Sequence, residues 1–144
     1  SGGEPHVAAA IETEDRAAVM DSLILCKFLR GVFTEPYVEW ARLLSSVTGW
    51  DVDATELQAT ARRIVLAKRA FNIREGWTRE DDTLPERLLS EPVMIPSGRQ
   101  GTLTKDQLDG MIAAYYEVRG LDERGQLRED ERVSFEALAR ASGP

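Results

Sequence analysis

Ala17-Ala18-Val19-Met20-Asp21-Ser22-Leu23-Ile24-Leu25-Cys26-Lys27-Phe28-Leu29 is apolar on almost every side, broken only by Asp21, Ser22 and Lys27. A helix that is apolar all round is a central one, covered by its neighbours. The spacing predicts such a helix from Glu14 to Val32. Asp21 is the anomaly within it, because an unpaired carboxylate on an apolar face is costly. A backbone cap or a salt bridge would satisfy it. Cys26, taken alone, reads as a small buried hydrophobe, the usual fate of a free cysteine. At 3.6 residues per turn, side chains five apart point roughly 140° away from each other. Asp21 therefore shares a face with Leu25, and Ser22 shares one with Cys26. Asp21 and Cys26 can serve one site only if the helix ends or kinks between them, or if a ligand wraps around it.

Helix signals continue downstream. Thr34-Glu35-Pro36 is a start signal, with Tyr37, Trp40, Ala41, Leu44 and Val47 at helical spacing and Gly49 as a stop. Asp53 with Glu56 forms a capping box, and Val52 with Leu57 supplies its staple. The helix behind them runs to Ile73 with a stripe of Leu57, Ala61, Ile64, Val65, Lys68 and Phe71, and Gly76 ends it. Thr83 with Glu86 is a second box, opening a short helix through Leu88 and Leu89. Pro92 and Pro96 enforce an extended connection that at most a short strand pair flanks. Thr104 with Gln107 is a third box, for a helix carrying Leu108, Met111, Ile112, Tyr115 and Tyr116 and closed by Gly120. Asp122-Glu123-Arg124-Gly125 reads as a turn, and Ser134 as the cap of a last short helix. The expectation is an all-α fold, a single compact domain of about five to six helices. Residues 1–10 read as a flexible linker and residues 11–144 as the domain.

Composition narrows the function. Of the 144 residues, 42% are hydrophobic and 30% charged, which reads as soluble and globular. No apolar run approaches the roughly 20 residues that span a bilayer. The net charge of -7 argues against nucleic acid, whose phosphates need clustered Lys and Arg. One Cys allows no internal disulfide and fits a reducing, cytoplasmic setting. One Cys and one His also fall short of a self-contained zinc or iron–sulfur site. His6 lies in the expected linker and lacks the fixed geometry that a general base needs.

Three separated blocks carry a family resemblance. Asp-x-x-x-Leu-Cys, as Asp21 to Cys26, follows Glu12-Thr13-Glu14-Asp15. Next come Phe71-Asn72-Ile73-Arg74-Glu75-Gly76 and Arg79-Glu80-Asp81-Asp82-Thr83-Leu84-Pro85-Glu86-Arg87-Leu88-Leu89. Leu108-Asp109-Gly110-Met111 and Tyr115-Tyr116-Glu117-Val118-Arg119-Gly120 close the set. In this order the blocks resemble the C-terminal region of the tungsten-dependent aldehyde ferredoxin oxidoreductases.

The resemblance implies a helical C-terminal domain of an enzyme that oxidises aldehydes to acids and passes electrons to ferredoxin. That enzyme holds tungsten, or molybdenum, between two molybdopterins beside a 4Fe–4S cluster. It implies that Asp21 binds one pterin, that the backbone of Leu25 approaches the same cofactor, and that Cys26 is the fourth cluster ligand. The other three thiolates belong to a C-x-x-C-x-x-x-C run that this chain lacks. The partners implied are the N-terminal and middle domains of the same polypeptide, ferredoxin and an aldehyde, with no nucleic acid and no membrane. The isolated chain is expected to bind neither cofactor, to be inactive, and to favour a helix continuous through Cys26. Where the family often has Gly before the Leu, this chain has Ile24, which bears on the path of the loop. The Arg79–Pro85 block meets ordinary capping needs and reads as structural, with a direct role near the substrate channel as the alternative. Two readings compete. A domain of the larger enzyme should expose an apolar patch around Leu23–Phe28. A free-standing interaction module that has lost its cofactors should show a closed surface, with Asp21 paired internally and Cys26 buried. Relatives that act on other substrates would leave the same trace in this part of the chain.

Overall fold

The computed structural model describes residues 3–94, 98 and 100–133. Five α-helices account for most of them: α1 Glu4–Ser22, α2 Pro36–Thr48, α3 Ala54–Arg74, α4 Glu86–Ser90 and α5 Lys105–Arg119. Short 3₁₀ segments cover Lys27–Gly31 and Arg79–Asp81. Two-residue strands β1 (Val93–Met94) and β2 (Gln100–Gly101) pair antiparallel, with Val93 opposite Gly101. The fold is all-α apart from that pair, which flanks the proline-rich connection as expected. Residues 129–133 are again helical. Ser134 and the helix expected behind it lie outside the described residues.

The chain forms two compact units where a single one was expected: Ala10–Arg69, and Ser1–Ala9 with Ala70–Pro144. Apolar packing explains the division. Val19 and Met20 of α1, Trp40 and Ala41 of α2, and Leu57 and Ala61 of α3 form one buried cluster inside the first unit. Phe33 and Tyr37 set their rings edge-on to Trp40, at 5.7 and 5.6 Å between centroids.

Capping fixes the ends of α2 and α3. Pro36 opens α2, and Glu39 reaches back so that the Thr34 and Glu35 N–H groups donate to its Oε1. Gly49 closes α2 in the left-handed conformation at φ 75°, which glycine adopts without strain. Glu56 N–H donates to Asp53 Oδ1 at the start of α3, the expected cap. At its end Gly76 has φ 97°, with Trp77 N–H bonded to Asn72 C=O and Gly76 N–H to Ile73 C=O.

The second unit is organised around α5. Thr104 and Gln107 form the expected capping box, and Gly120 closes the helix at φ 75°. Tyr116, Arg119 and Leu121 are its buried residues on and beside α5. The guanidinium of Arg119, 2% exposed, lies over the Tyr115 ring at 5.4 Å. The Asp122–Gly125 turn is present: Asp122 Oδ1 accepts from the Arg124 and Gln126 N–H groups, and Leu121 bridges to Leu127.

Three local expectations are corrected. Residues 4–10, read as linker, are the first turns of α1, with Val7 buried. The box at Thr83 and Glu86 does not form. Pro85 caps α4 without a side-chain bond, and the box of this region joins Thr78 and Asp81 instead. The continuous helix from Glu14 to Val32 is the third.

Candidate functional site

Helix α1 stops at Ser22, and the way it stops builds the site. Leu25 N–H donates to Met20 C=O at 2.8 Å, and Ile24 N–H donates to Asp21 C=O at 3.2 Å. This 6→1 and 5→2 pair is a Schellman turn, whose pivot must take a left-handed backbone. Ile24 is that pivot at φ 57°, the one non-glycine with positive φ among the described residues. A β-branched residue is strained there. The turn that glycine would ease is made here with isoleucine.

The chain then runs extended through Cys26 (φ -62°, ψ 130°) into the 3₁₀ segment Lys27–Gly31, where Leu29 N–H donates to Cys26 C=O. The helix does not continue through Cys26, contrary to the expectation for a chain without cofactors. It ends between Asp21 and Cys26, the condition under which the two can serve one site. Leu23 and Leu25 pack against the buried cluster of the first unit. They anchor the turn while Asp21, Ile24 and Cys26 stay exposed. Among the described residues Cys26 is a free thiol.

Asp21 is paired rather than buried. Its Oδ1 lies 2.8 Å from Lys27 Nζ, with about half of each side chain exposed. The Lys27 hydrogen bond holds the Asp21 carboxyl below the usual aspartate range, with Lys68 adding positive charge from α3. Asp21 therefore does not lie on a covered apolar face. Around it the surface is apolar and open: Ile24 is 92% and Phe28 95% exposed, with Val32 and Leu29 beside them in sequence. Of the expectations for a free-standing module, the ion-paired Asp21 is met locally, while the buried Cys26 and the closed surface are not. The central-helix reading fails at Ile24 and Phe28 for the same reason: the bend turns them out of the core.

One thiol cannot hold a 4Fe–4S cluster, which takes four protein ligands. Among the described residues no group of three or more His, Cys, Asp and Glu is placed to hold a metal ion. The donor set of the turn nevertheless suits the implied groups as a contribution. An ionised carboxylate accepts paired N–H bonds such as a pterin edge presents, and an accessible thiol supplies one soft ligand.

The Arg79–Asp82 block lies in the second unit and forms a polar cluster with α5. Arg79 Nη2 donates to Asp109 Oδ1 at 2.9 Å, and Lys105 Nζ to Asp109 Oδ2 at 2.9 Å. Lys105 and Arg79 hold the Asp109 carboxyl below its ordinary range. Trp77 Nε1 donates to Asp82 Oδ1 at 2.9 Å, and the Tyr116 hydroxyl donates to Asp82 Oδ2. These contacts agree with a structural role. Sequence reasoning missed Tyr116 and Asp109 as its partners, since each lies about thirty positions downstream of its partner.

The three blocks thus mark one exposed carboxylate–thiol turn and one supporting cluster on a largely helical scaffold. Residues 2–134 match the family model described as aldehyde ferredoxin oxidoreductase, domains 2 and 3, and the chain belongs to that family. It is 33% identical over 136 residues to the tungsten-containing aldehyde ferredoxin oxidoreductase of Pyrococcus horikoshii, covering 88% of this chain and 21% of that protein. The corresponding protein of Pyrococcus furiosus is 35% identical over 116 residues, covering 79% and 18%. That of Thermococcus kodakarensis is 32% identical over 133 residues, covering 86% and 21%. The chain spans about a fifth of the length of the curated relatives it matches. No helix among the described residues is long and apolar enough to cross a membrane.

Proposed function

We propose that this chain is the C-terminal helical part of a cytoplasmic tungsten, or molybdenum, bis-pterin enzyme that oxidises aldehydes to carboxylic acids with ferredoxin as acceptor. The single observation that carries the proposal is the bend at Ile24. It ends α1 between Asp21 and Cys26 and leaves both side chains exposed beside an open apolar surface. In this reading Asp21 accepts N–H bonds from one pterin, the backbone at Leu25 lines the same cofactor, and Cys26 is the fourth cluster ligand. When bound, the metal and cluster supply two-electron oxidation of the aldehyde and one-electron delivery to ferredoxin. The residues of this chain hold and orient; none of them performs a bond-making step. The chain alone is then inactive and binds neither cofactor, because the other ligands belong to the rest of the polypeptide.

Two facts support the larger-enzyme reading over a free-standing module. The relatives are about five times as long as the matched segment. Ile24 and Phe28, close to Cys26 in sequence, are almost fully exposed, as a surface made for covering would have them. The test is the gene. A reading frame that continues upstream and encodes C-x-x-C-x-x-x-C is the expected result, and its product should couple aldehyde oxidation to ferredoxin reduction. A gene that encodes only this helical segment would overturn the proposal.

A further inference from the structure

Among the described residues Lys27 is the cation ion-paired with Asp21, and the pair spans the turn rather than running along a helix. Helical ion pairs are three or four residues apart. This pair is six apart and exists only because the chain bends at Ile24. Its geometry is therefore tied to the same bend that releases Cys26 from the helix.

We propose, resting on the cofactor reading above, that Lys27 is a positioning residue of the site. Its ammonium fixes the Asp21 carboxylate for the pterin. The chemistry is specific. A carboxylate has about four lone-pair positions on two oxygens. Lys27 takes one on Oδ1 and leaves both oxygens able to accept from a pterin's N–H pair. The apolar surface formed by Ile24, Phe28 and Val32 is open. Once covered, it would strip water from Asp21 as well, and a bare carboxylate there is costly. A cation already in place offsets that cost.

The test uses the full-length enzyme with Lys27→Met, Lys27→Arg, Asp21→Asn and Cys26→Ala. Tungsten and pterin per chain, iron per chain, and the cluster midpoint potential from an electron-paramagnetic-resonance titration are measured. Loss of an outer partner of a cofactor ligand typically weakens the site about tenfold or more. Lys27→Met should lower pterin and tungsten content by about that factor at limiting cofactor. It should keep iron content and the cluster midpoint potential, while Lys27→Arg restores the pterin and tungsten content. Unchanged melting temperature in Lys27→Met separates this from misfolding, since the pair is half exposed. Wild-type pterin content in Lys27→Met overturns the inference even when Asp21→Asn loses pterin and Cys26→Ala loses iron. If those two controls are themselves unaffected, the cofactor reading fails and the inference falls with it.

Discussion

Replacing Ile24 by glycine should stabilise this 144-residue chain, although it deletes a large apolar side chain. Ile24 sits at φ 57° with its side chain 92% exposed. A left-handed backbone costs an L-residue roughly 1–2 kcal/mol. Glycine removes that strain but adds unfolded-state entropy of about 0.5–1 kcal/mol. Burial hardly enters, because so little of the side chain is covered and hydrophobic stabilisation follows the area removed from water. The balance is a gain of about 0–1.5 kcal/mol, about 0.75 kcal/mol at the centre of both ranges, or roughly 2–4 °C in melting temperature for a chain of this size. Urea denaturation of the isolated chain measures it, with Ile24→Ala as control: alanine keeps the left-handed demand and should gain less. A loss of about 1 kcal/mol or more on Ile24→Gly, outside the error of such extrapolations, would refute the strained turn. It would mean that Ile24 is packed, or that α1 continues past Ser22.

Three further outcomes follow from the supporting cluster and the helix ends. Tyr116→Phe removes the donor to Asp82 Oδ2 while keeping the buried ring, and should destabilise by about 1.5–3 kcal/mol in urea denaturation. Gly76→Ala places a side chain at φ 97° and should lower stability by about 1 kcal/mol or more, although a Cβ there meets nothing within 4 Å. Asp109 is held below the ordinary aspartate range by Lys105 and Arg79. A depressed carboxyl stabilises the fold above its unfolded value, about pH 4, and loses that contribution as pH falls through the folded value. Stability should therefore drop below about pH 4, and Asp109→Asn should flatten that part of the profile in a pH series of melts.

The legible features were those with short-range causes. Asp53 and Thr104 cap as their spacing requires, and Gly49, Gly76 and Gly120 all take the left-handed backbone that marks a helix end. The end of α1 was hidden because its pivot is isoleucine. Nothing in Leu23-Ile24-Leu25 breaks the apolar period, and only the tertiary anchoring of Leu23 and Leu25 selects the bend. The start of α1 did carry a signal. Glu4-Pro5 is the same pair as Glu35-Pro36, which correctly opened α2. The Thr78–Asp81 box was missed because it caps only a 3₁₀ turn, with no periodic segment behind it. The link from Asp82 to Tyr116 spans 34 positions, and pattern alone does not pair residues so far apart. At the candidate site the residues were legible as a motif, while their exposure and the Lys27 pair were properties of the folded turn.

The central claim is that Cys26 leaves the helix in order to ligate a cluster completed elsewhere in the polypeptide. Iron per chain in the full-length protein carrying Cys26→Ala tests it most directly. A cluster deprived of one of its four thiolates should be lost or converted, so iron content and the reduced-cluster resonance should fall well below wild type. Full iron content with an unchanged resonance in Cys26→Ala would contradict the account.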